Sequence, residues 1–439
     1  MAPPATGTSG NTALGLPWVI TAVAVAFAVG TQYPGSAGFP SFLHGRPSAK
    51  RDLLAAGAGA VPEQALVVRQ RDSLVLDHVP SPTEANASTL FIPNGLDLQT
   101  MLDKPFHVYH EDFLDIIGGS PTLTLIADSG TDPLFHEAPV WYPPTDEMFF
   151  VQNAGAPASG TGLNKSSIVQ KIALSEAMAV SHLTNAVGKV KVETVTSDPP
   201  VINPNGGTNY KGNIIFAGEG QGSAIPSALY LVNPVPPYNA TVLLNNFYGR
   251  QFNSLNDVAV HPVTGDIYFT DTLYGFLQDF RPKPVLPRQV YRLDAQTWAL
   301  SAVEDQFDLC NGIAISPDGK YVYITDTGAV RGFYGSDQGR AASIYRFDIA
   351  ADGTFENRKL FAYIHSAIPD GVHCDSHGNV YAGCGDGVHV WSSSGIFLGK
   401  VFTGELVANF QFAGKGRMVI LAETRLYYAT LGAEGAALT

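Results

Sequence analysis

One short pattern recurs six times along this chain, and it restricts the fold more than any other feature. A Gly or Asp turn is followed by four or five alternating apolar residues: DEMFFVQN from Asp146, GNIIFAGEG from Gly212, GDIYFTDT from Gly265, GKYVYITDT from Gly319, GNVYAGCGDG from Gly378 and, more loosely, GRMVILAET from Gly416. A second run follows each copy in the same order: SIVQKIALS (Ser167), ALYLVNP (Ala228), QVYRLDA (Gln289), SIYRFDIA (Ser343), GVHVWSS (Gly387) and RLYYATL (Arg425). Most of these runs alternate at period two, which is strand behaviour. Units of roughly 40–65 residues have the length of a four-stranded propeller blade. No stretch keeps a 3.6-residue apolar period between helix caps, which argues against a helical solenoid and against a parallel sheet with crossover helices. The expected fold is all-β, a six-bladed β-propeller over residues 106–439. The 45 Gly and 30 Pro suit many short strands joined by turns.

Ahead of the propeller, residues 41–105 read as an extension with some strands. Between Leu66 and Asp128 lie LVVRQ, FHVYHEDF and LTLIAD, and one of them is expected to close the ring by pairing with the last blade, which would remove an exposed edge. Residues 1–40 are separate. The apolar stretch Ala13–Gly30 reads as a secretory signal, or as an uncleaved signal anchor, although no Lys or Arg precedes it. Sequons at Asn86, Asn164 and Asn239 fit an exported, extracellular glycoprotein. A formal net charge of -13 argues against a nucleic-acid partner, because no basic patch is available to replace phosphate counterions. Three cysteines make no disulfide scaffold: Cys374 would pair with Cys384 in an oxidising compartment, or all three would be buried thiols.

The chemistry sits in a third run, just before the first. HEAPVWYP, LNDVAVHP, CNGIAISP, PDGVHCDS and ANFQFAG each place an oxygen-bearing side chain before a strand: Glu137, Asn256, Asn311, Asp370 and Asn409. Inner strands of a propeller line its central channel, so equivalent positions on different blades face one axis. Two carboxylates and two or three amide carbonyls suit calcium, which takes about six to eight oxygen ligands. Zinc would want His nitrogen or Cys sulfur, and magnesium would keep more water. His373-Cys374-x-x-His377 misses zinc spacing, and His373 is expected to be packed, solvated or an extra ligand near the pocket. Gly218–Gly222 resembles a phosphate loop without its Lys-Ser/Thr, and is expected at the top of the second blade with Glu219 near the pocket mouth. No G-x-S-x-G elbow occurs, so serine-nucleophile chemistry has no motif to rest on.

EAPVW from Glu137, the pair Asn256-Asp257, NGIAISPDGKYVYITDT from Asn311 and PDGV around Asp370 resemble the motifs of the senescence-marker-protein/gluconolactonase/luciferin-regenerating-enzyme family, most closely its fungal lactonohydrolases. The resemblance runs from about Phe106 to the C-terminus. It implies a calcium-dependent hydrolase that opens a small-molecule lactone. By resemblance Glu137, Asn311 and Asp370 are calcium ligands, and Asn256 is a fourth ligand or a substrate contact. Asp370, at the rim between metal and solvent, is the first choice for the base and Asp257 the second. Ser254 stands where sugar-lactonase relatives carry an arginine, which leaves a less polar or aromatic-fused lactone as compatible as a sugar acid. The segment YGFLQDFRPKPVLPR from Tyr274 is expected to wall the pocket. Arylesterase or phosphotriesterase chemistry on the same metal, or a non-catalytic recognition platform, are the alternatives.

Overall fold

The computed structural model describes residues 61–82, 84–85, 89–153, 167–183 and 189–438. The segment Ala13–Gly30 and the sequons at Asn86 and Asn164 lie outside the described residues; Asn239 is exposed just before the strand Ala240–Leu244. No described helix is long and apolar enough to cross a membrane.

Six sheets make up the fold, antiparallel throughout except for one added strand at the edge of blade 5. Blade 3 is typical, running outward from Leu255–Val260 through Ile267–Asp271 and Gln289–Leu293 to Leu300–Glu304. The other inner strands are Glu137–Tyr142 (blade 1), Pro204–Tyr210 (blade 2), Cys310–Ile315 (blade 4), Val372–Cys374 (blade 5) and Asn409–Phe412 (blade 6). Successive inner strands pack against one another, and the Gly371 N–H donates to the Ala408 carbonyl at 2.8 Å to join blade 5 to blade 6. The six repeats of the first pattern are the second strands. Each is sandwiched between two neighbouring blades, and Ile267–Asp271 is buried throughout. Burial on both faces lets apolar residues occupy both sides of these strands, beyond the alternation expected from the sequence.

The ring closes as expected. Thr122–Asp128, the LTLIAD segment, pairs antiparallel with Arg425–Glu434 and so completes blade 6 from the other end of the chain. Two further strands of the N-terminal part extend blade 5: Phe106–Val108 pairs with Phe397–Phe402, and Ala65–Val67 pairs parallel to Phe106–Val108. Cys310, Cys374 and Cys384 are all buried free thiols, so Cys374 and Cys384 are not paired.

The repeated Thr-Asp-Thr of blades 3 and 4 has a mechanical role. Asp271 accepts the N–H groups of Asn253 and Ser254 at 3.0 and 2.8 Å, and Asp326 accepts those of Asp308 and Leu309 at 2.9 and 2.8 Å. Each carboxylate pins the approach to its own inner strand. Asp326→Ala would leave two N–H groups at the head of blade 4 without their acceptor. Chemical denaturation is expected to show a loss of about 2–3 kcal/mol, from the cost of stranding buried donors.

Candidate active site

Three inner strands carry the same irregularity at their heads, each with an asparagine at its start. In blade 2, Pro204 pairs with Gly218 and Gly207 with Phe216, so Asn205 and Gly206 face a single residue. Blade 3 repeats this around Asn256-Asp257 and blade 4 around Asn311-Gly312. Asp370-Gly371 take the corresponding place in blade 5, where the Asp370 N–H donates to the Gly383 carbonyl at 2.8 Å and Val372 pairs with Ala382. A bulge of this kind adds one residue and re-aims the side chains around it. Blade 1 also bulges between Glu137 and Val140, but Glu137 sits one residue ahead of the position the others use.

These heads converge. Glu137, Asn205, Asn256, Asn311 and Asp370 all line one cavity of about 650 Å³. Threonines of the preceding blade fix two of them through the main chain: Thr270 Oγ1 donates to the Asn311 carbonyl at 2.8 Å and Thr325 Oγ1 to the Asp370 carbonyl at 2.9 Å. Asn205 Nδ2 donates to the Asn256 carbonyl at 3.2 Å, and Asn409 Nδ2 to Glu137 Oε2 at 2.7 Å. Asn256 Oδ1 and Asp370 Oδ1 are buried and accept no hydrogen bond. A stranded buried oxygen costs roughly 1–3 kcal/mol, so two on one cavity call for a cationic or donor ligand.

Electrostatics point the same way. Burial and the facing Asp370 hold the Glu137 carboxyl well above the usual carboxylate range, against the pull of His136 and Asn409. Burial also raises Asp370, with Glu423 adding to it and His136 and Asn311 opposing. The cavity is short of positive charge. Among the described residues no three His, Cys, Asp or Glu side chains form a metal-holding group; a cation here would need the amide oxygens to complete its shell. Glu137, Asp370 and the three asparagines form a donor set that fits a hard, oxygen-seeking ion.

Other sequence-derived candidates are placed differently. Asp257 lines a second cavity of about 110 Å³, bounded by residues further along the inner strands. Its two oxygens accept the N–H groups of Val258 at 2.8 Å and Ile313 at 3.0 Å, so it bridges blades 3 and 4; burial still pushes its carboxyl up to about 7. His373 lines that second cavity too, 3.1 Å from Asn409 Oδ1. The Phe410 N–H also donates to Asn409 Oδ1, at 2.8 Å, which turns the Asn409 amide so that its NH2 group orients Glu137. Glu219 is not at the pocket mouth: it is buried, accepts the Ser254 hydroxyl at 2.8 Å and lines neither cavity. Of the segment from Tyr274, only Tyr274 and Gln278 wall the larger cavity, while Arg281 turns away to the carbonyls of Ile225, Phe252 and Asn253.

Three lining residues escape the sequence patterns. Asn205 belongs to PNGG, which echoes PDG and CNG but lacks an alternating apolar strand behind it. His136 and Glu423 are 2.9 Å apart, and Asn153 Nδ2 holds the other Glu423 oxygen at 2.8 Å. Burial disfavours a charged His136, yet Glu423, with help from Glu137 and Asp370, outweighs it and lifts the imidazole to about 9. His136 was readable as the neighbour of Glu137; Glu423, in a tight turn of blade 6, gave no signal.

A family profile described as the SMP-30/gluconolactonase/LRE-like region matches residues 203–423, which include Asn205, Asn256, Asn311 and Asp370. Lactonohydrolase oryH of Aspergillus oryzae is 24% identical over 373 residues, covering 69% of this chain and 74% of that protein. Lactonohydrolase oryL of the same organism is 29% identical over 306 residues, 64% of each chain. The solved structure of a gluconolactonase from Xanthomonas campestris superposes with a TM-score of 0.58 at 22% identity, covering 74% of this chain and 94% of that one. That structural likeness concerns the propeller fold.

Proposed function

The chain belongs to the SMP-30/gluconolactonase/LRE-like family, and on that premise we propose that it is a calcium-dependent lactonase working in the larger cavity. The observation that carries the proposal is the pair of buried, unbonded oxygens, Asn256 Oδ1 and Asp370 Oδ1, on a cavity that Glu137 and Asn311 also line. Those four side chains would hold the ion, with Asn205 as a further amide. Two carboxylates balance one divalent charge, and a mixed carboxylate and amide shell is what calcium accepts. Bound calcium would supply Lewis-acid polarisation of the lactone carbonyl and stabilise the charge that develops on its oxygen. The names of the two fungal relatives support a lactone as the substrate.

The chain's own groups supply the rest. Asp370 would take a proton from the attacking water as general base, through the carboxylate oxygen that does not face the ion. Asn311, hydrogen-bonded to the carboxylate, would orient the group. The proton then passes to the ring oxygen as the acyl C–O bond breaks, so the product is a hydroxy acid. Thr270 and Thr325 hold the main chain of Asn311 and Asp370 against recoil, and such preorganised geometry lowers the barrier without reorganisation at the moment of reaction.

Chelation tests the proposal. Stripping with EGTA and desalting is expected to abolish hydrolysis of a lactone panel and lower the melting temperature, and calcium, but not magnesium, is expected to restore both. At free calcium a hundredfold above its Kd, binding would add about 2.7 kcal/mol of stability. Turnover that survives chelation, with an unshifted melting curve, would refute the metal's role.

A further inference from the structure

The larger cavity has a polar floor and an apolar wall, and the wall is built with care. Between the second and third strands, blades 5 and 6 make tight turns, whereas blade 4 inserts residues 327–342 there. That insertion is fixed in place. The Arg331 N–H donates to the Gly335 carbonyl and the Asp337 N–H to the Ala329 carbonyl, each at 2.8 Å. The Tyr334 hydroxyl donates to Asp279 Oδ1 at 2.8 Å and the Tyr274 hydroxyl to the Val330 carbonyl at 3.1 Å, which bind the insertion to the neighbouring loop of blade 3. Within this rigid loop Phe333 lines the cavity and leaves 52% of its surface exposed. Leu90, Val330, Ile368 and Leu406 line the same cavity. An aromatic left half open on a pinned loop, beside aliphatic neighbours, is a contact surface for an apolar group.

The charge pattern narrows the occupant further. Glu137, Asp370, Glu405 and Glu423 line the cavity; among the described residues no Lys or Arg does, and the one basic side chain, His136, is committed to Glu423. A substrate bearing a carboxylate or phosphate would meet only repulsion outside the floor. A polyhydroxylated ring would find Asn153, Gln278 and Ser336 on part of the lining, but the hydroxyls pressed against Phe333 and Val330 would lose water without a partner, at a cost. Ser254 offers none, because its hydroxyl is turned to Glu219 and away from the cavity.

We infer that the site selects neutral lactones whose ring carries an extended alkyl or aryl substituent, with that substituent lodged against Phe333 and Val330. This rests on the lactonase proposal and adds the substrate class. Each methylene moved from water onto the wall should raise kcat/KM about fourfold until the wall is covered.

The test uses the full chain with saturating calcium and two ligand series of rising alkyl length: γ-lactones for turnover, and the matching non-hydrolysable γ-lactams for calorimetric affinity. Both kcat/KM and affinity are expected to climb with chain length. Alkyl δ-lactones are expected to outrun glucono-δ-lactone. Phe333→Ala should flatten both slopes, whereas Leu360→Ala, on the exposed outer strand of blade 4, should keep them. A flat lactam series, or a preference for the sugar lactone, overturns the inference. Lactams that bind more tightly with length while no lactone is hydrolysed support this pocket and sink the hydrolase instead.

Discussion

Asp370→Asn is expected to lower kcat on any accepted lactone roughly a thousandfold, the range associated with losing a general base, while the protein stays folded. The fold should survive because the side chain's structural work is small. Thr325 binds the main-chain carbonyl of Asp370, and the Asp370 N–H binds Gly383; neither contact involves the carboxylate. Asparagine keeps the shape and one oxygen but cannot take a proton. Calcium affinity should weaken, because one of two balancing charges is gone, so rates must be read on a calcium titration carried to saturation. A kcat that stays low at saturation marks Asp370 as the proton acceptor; a full recovery reduces it to a ligand. Asp257→Asn is the informative comparison. Both oxygens of Asp257 accept main-chain N–H groups across the junction of blades 3 and 4, and an amide would turn an NH2 toward one of them. That variant should lose stability, with kcat on the folded fraction far less affected than in Asp370→Asn.

The contrast between these two acids shows how far sequence could reach. Repeats six times over made the blades legible, down to which runs are second and third strands, because burial between neighbouring blades imposes the same apolar pattern each time. The heads of the inner strands were legible as well, since in five blades an oxygen-bearing side chain stands about seven to nine residues ahead of the following turn. What one dimension could not carry was direction. Asn256 and Asp257 are adjacent in sequence, yet the bulge sends the first to the larger cavity and the second to the next blade's main chain. Asn409 has the right residue type on a strand that pairs without a bulge, and its oxygen is taken by Phe410 and His373. Glu219, in a glycine-rich turn, was expected near the pocket mouth, but its carboxylate is folded inward onto Ser254. Asn205 was hidden for the opposite reason. Its strand, PNGGTNY, has too few apolar residues to read as a strand at all.

Gly312→Ala is expected to damage the site more than the fold. A Cβ at Gly312 would lie 2.5 Å from the Asp370 carbonyl oxygen and 3.1 Å from the Val372 nitrogen. Both are main-chain atoms of blade 5, so no side-chain rotation relieves the contact. The backbone of Gly312 is not in the left-handed region, and alanine is unstrained there in isolation; the whole penalty comes from the neighbouring blade. The clash sits between Asn311 on one side and Asp370 on the other, so relief pushes those two apart and strains the Thr325–Asp370 hydrogen bond. Overpacking of this kind costs about 1–3 kcal/mol, while a displacement of roughly 1 Å at a reacting group costs about a hundredfold in rate. Calcium affinity and kcat/KM should therefore fall together, with the melting temperature lowered more modestly. Gly119→Ala, where an added Cβ meets nothing within 4 Å, should leave all three unchanged. If Gly312→Ala kept its calcium affinity and rate, the spacing of blades 4 and 5 at the axis would not be what sets Asn311 and Asp370 in place, and an ion shared between their blades would lose its physical basis.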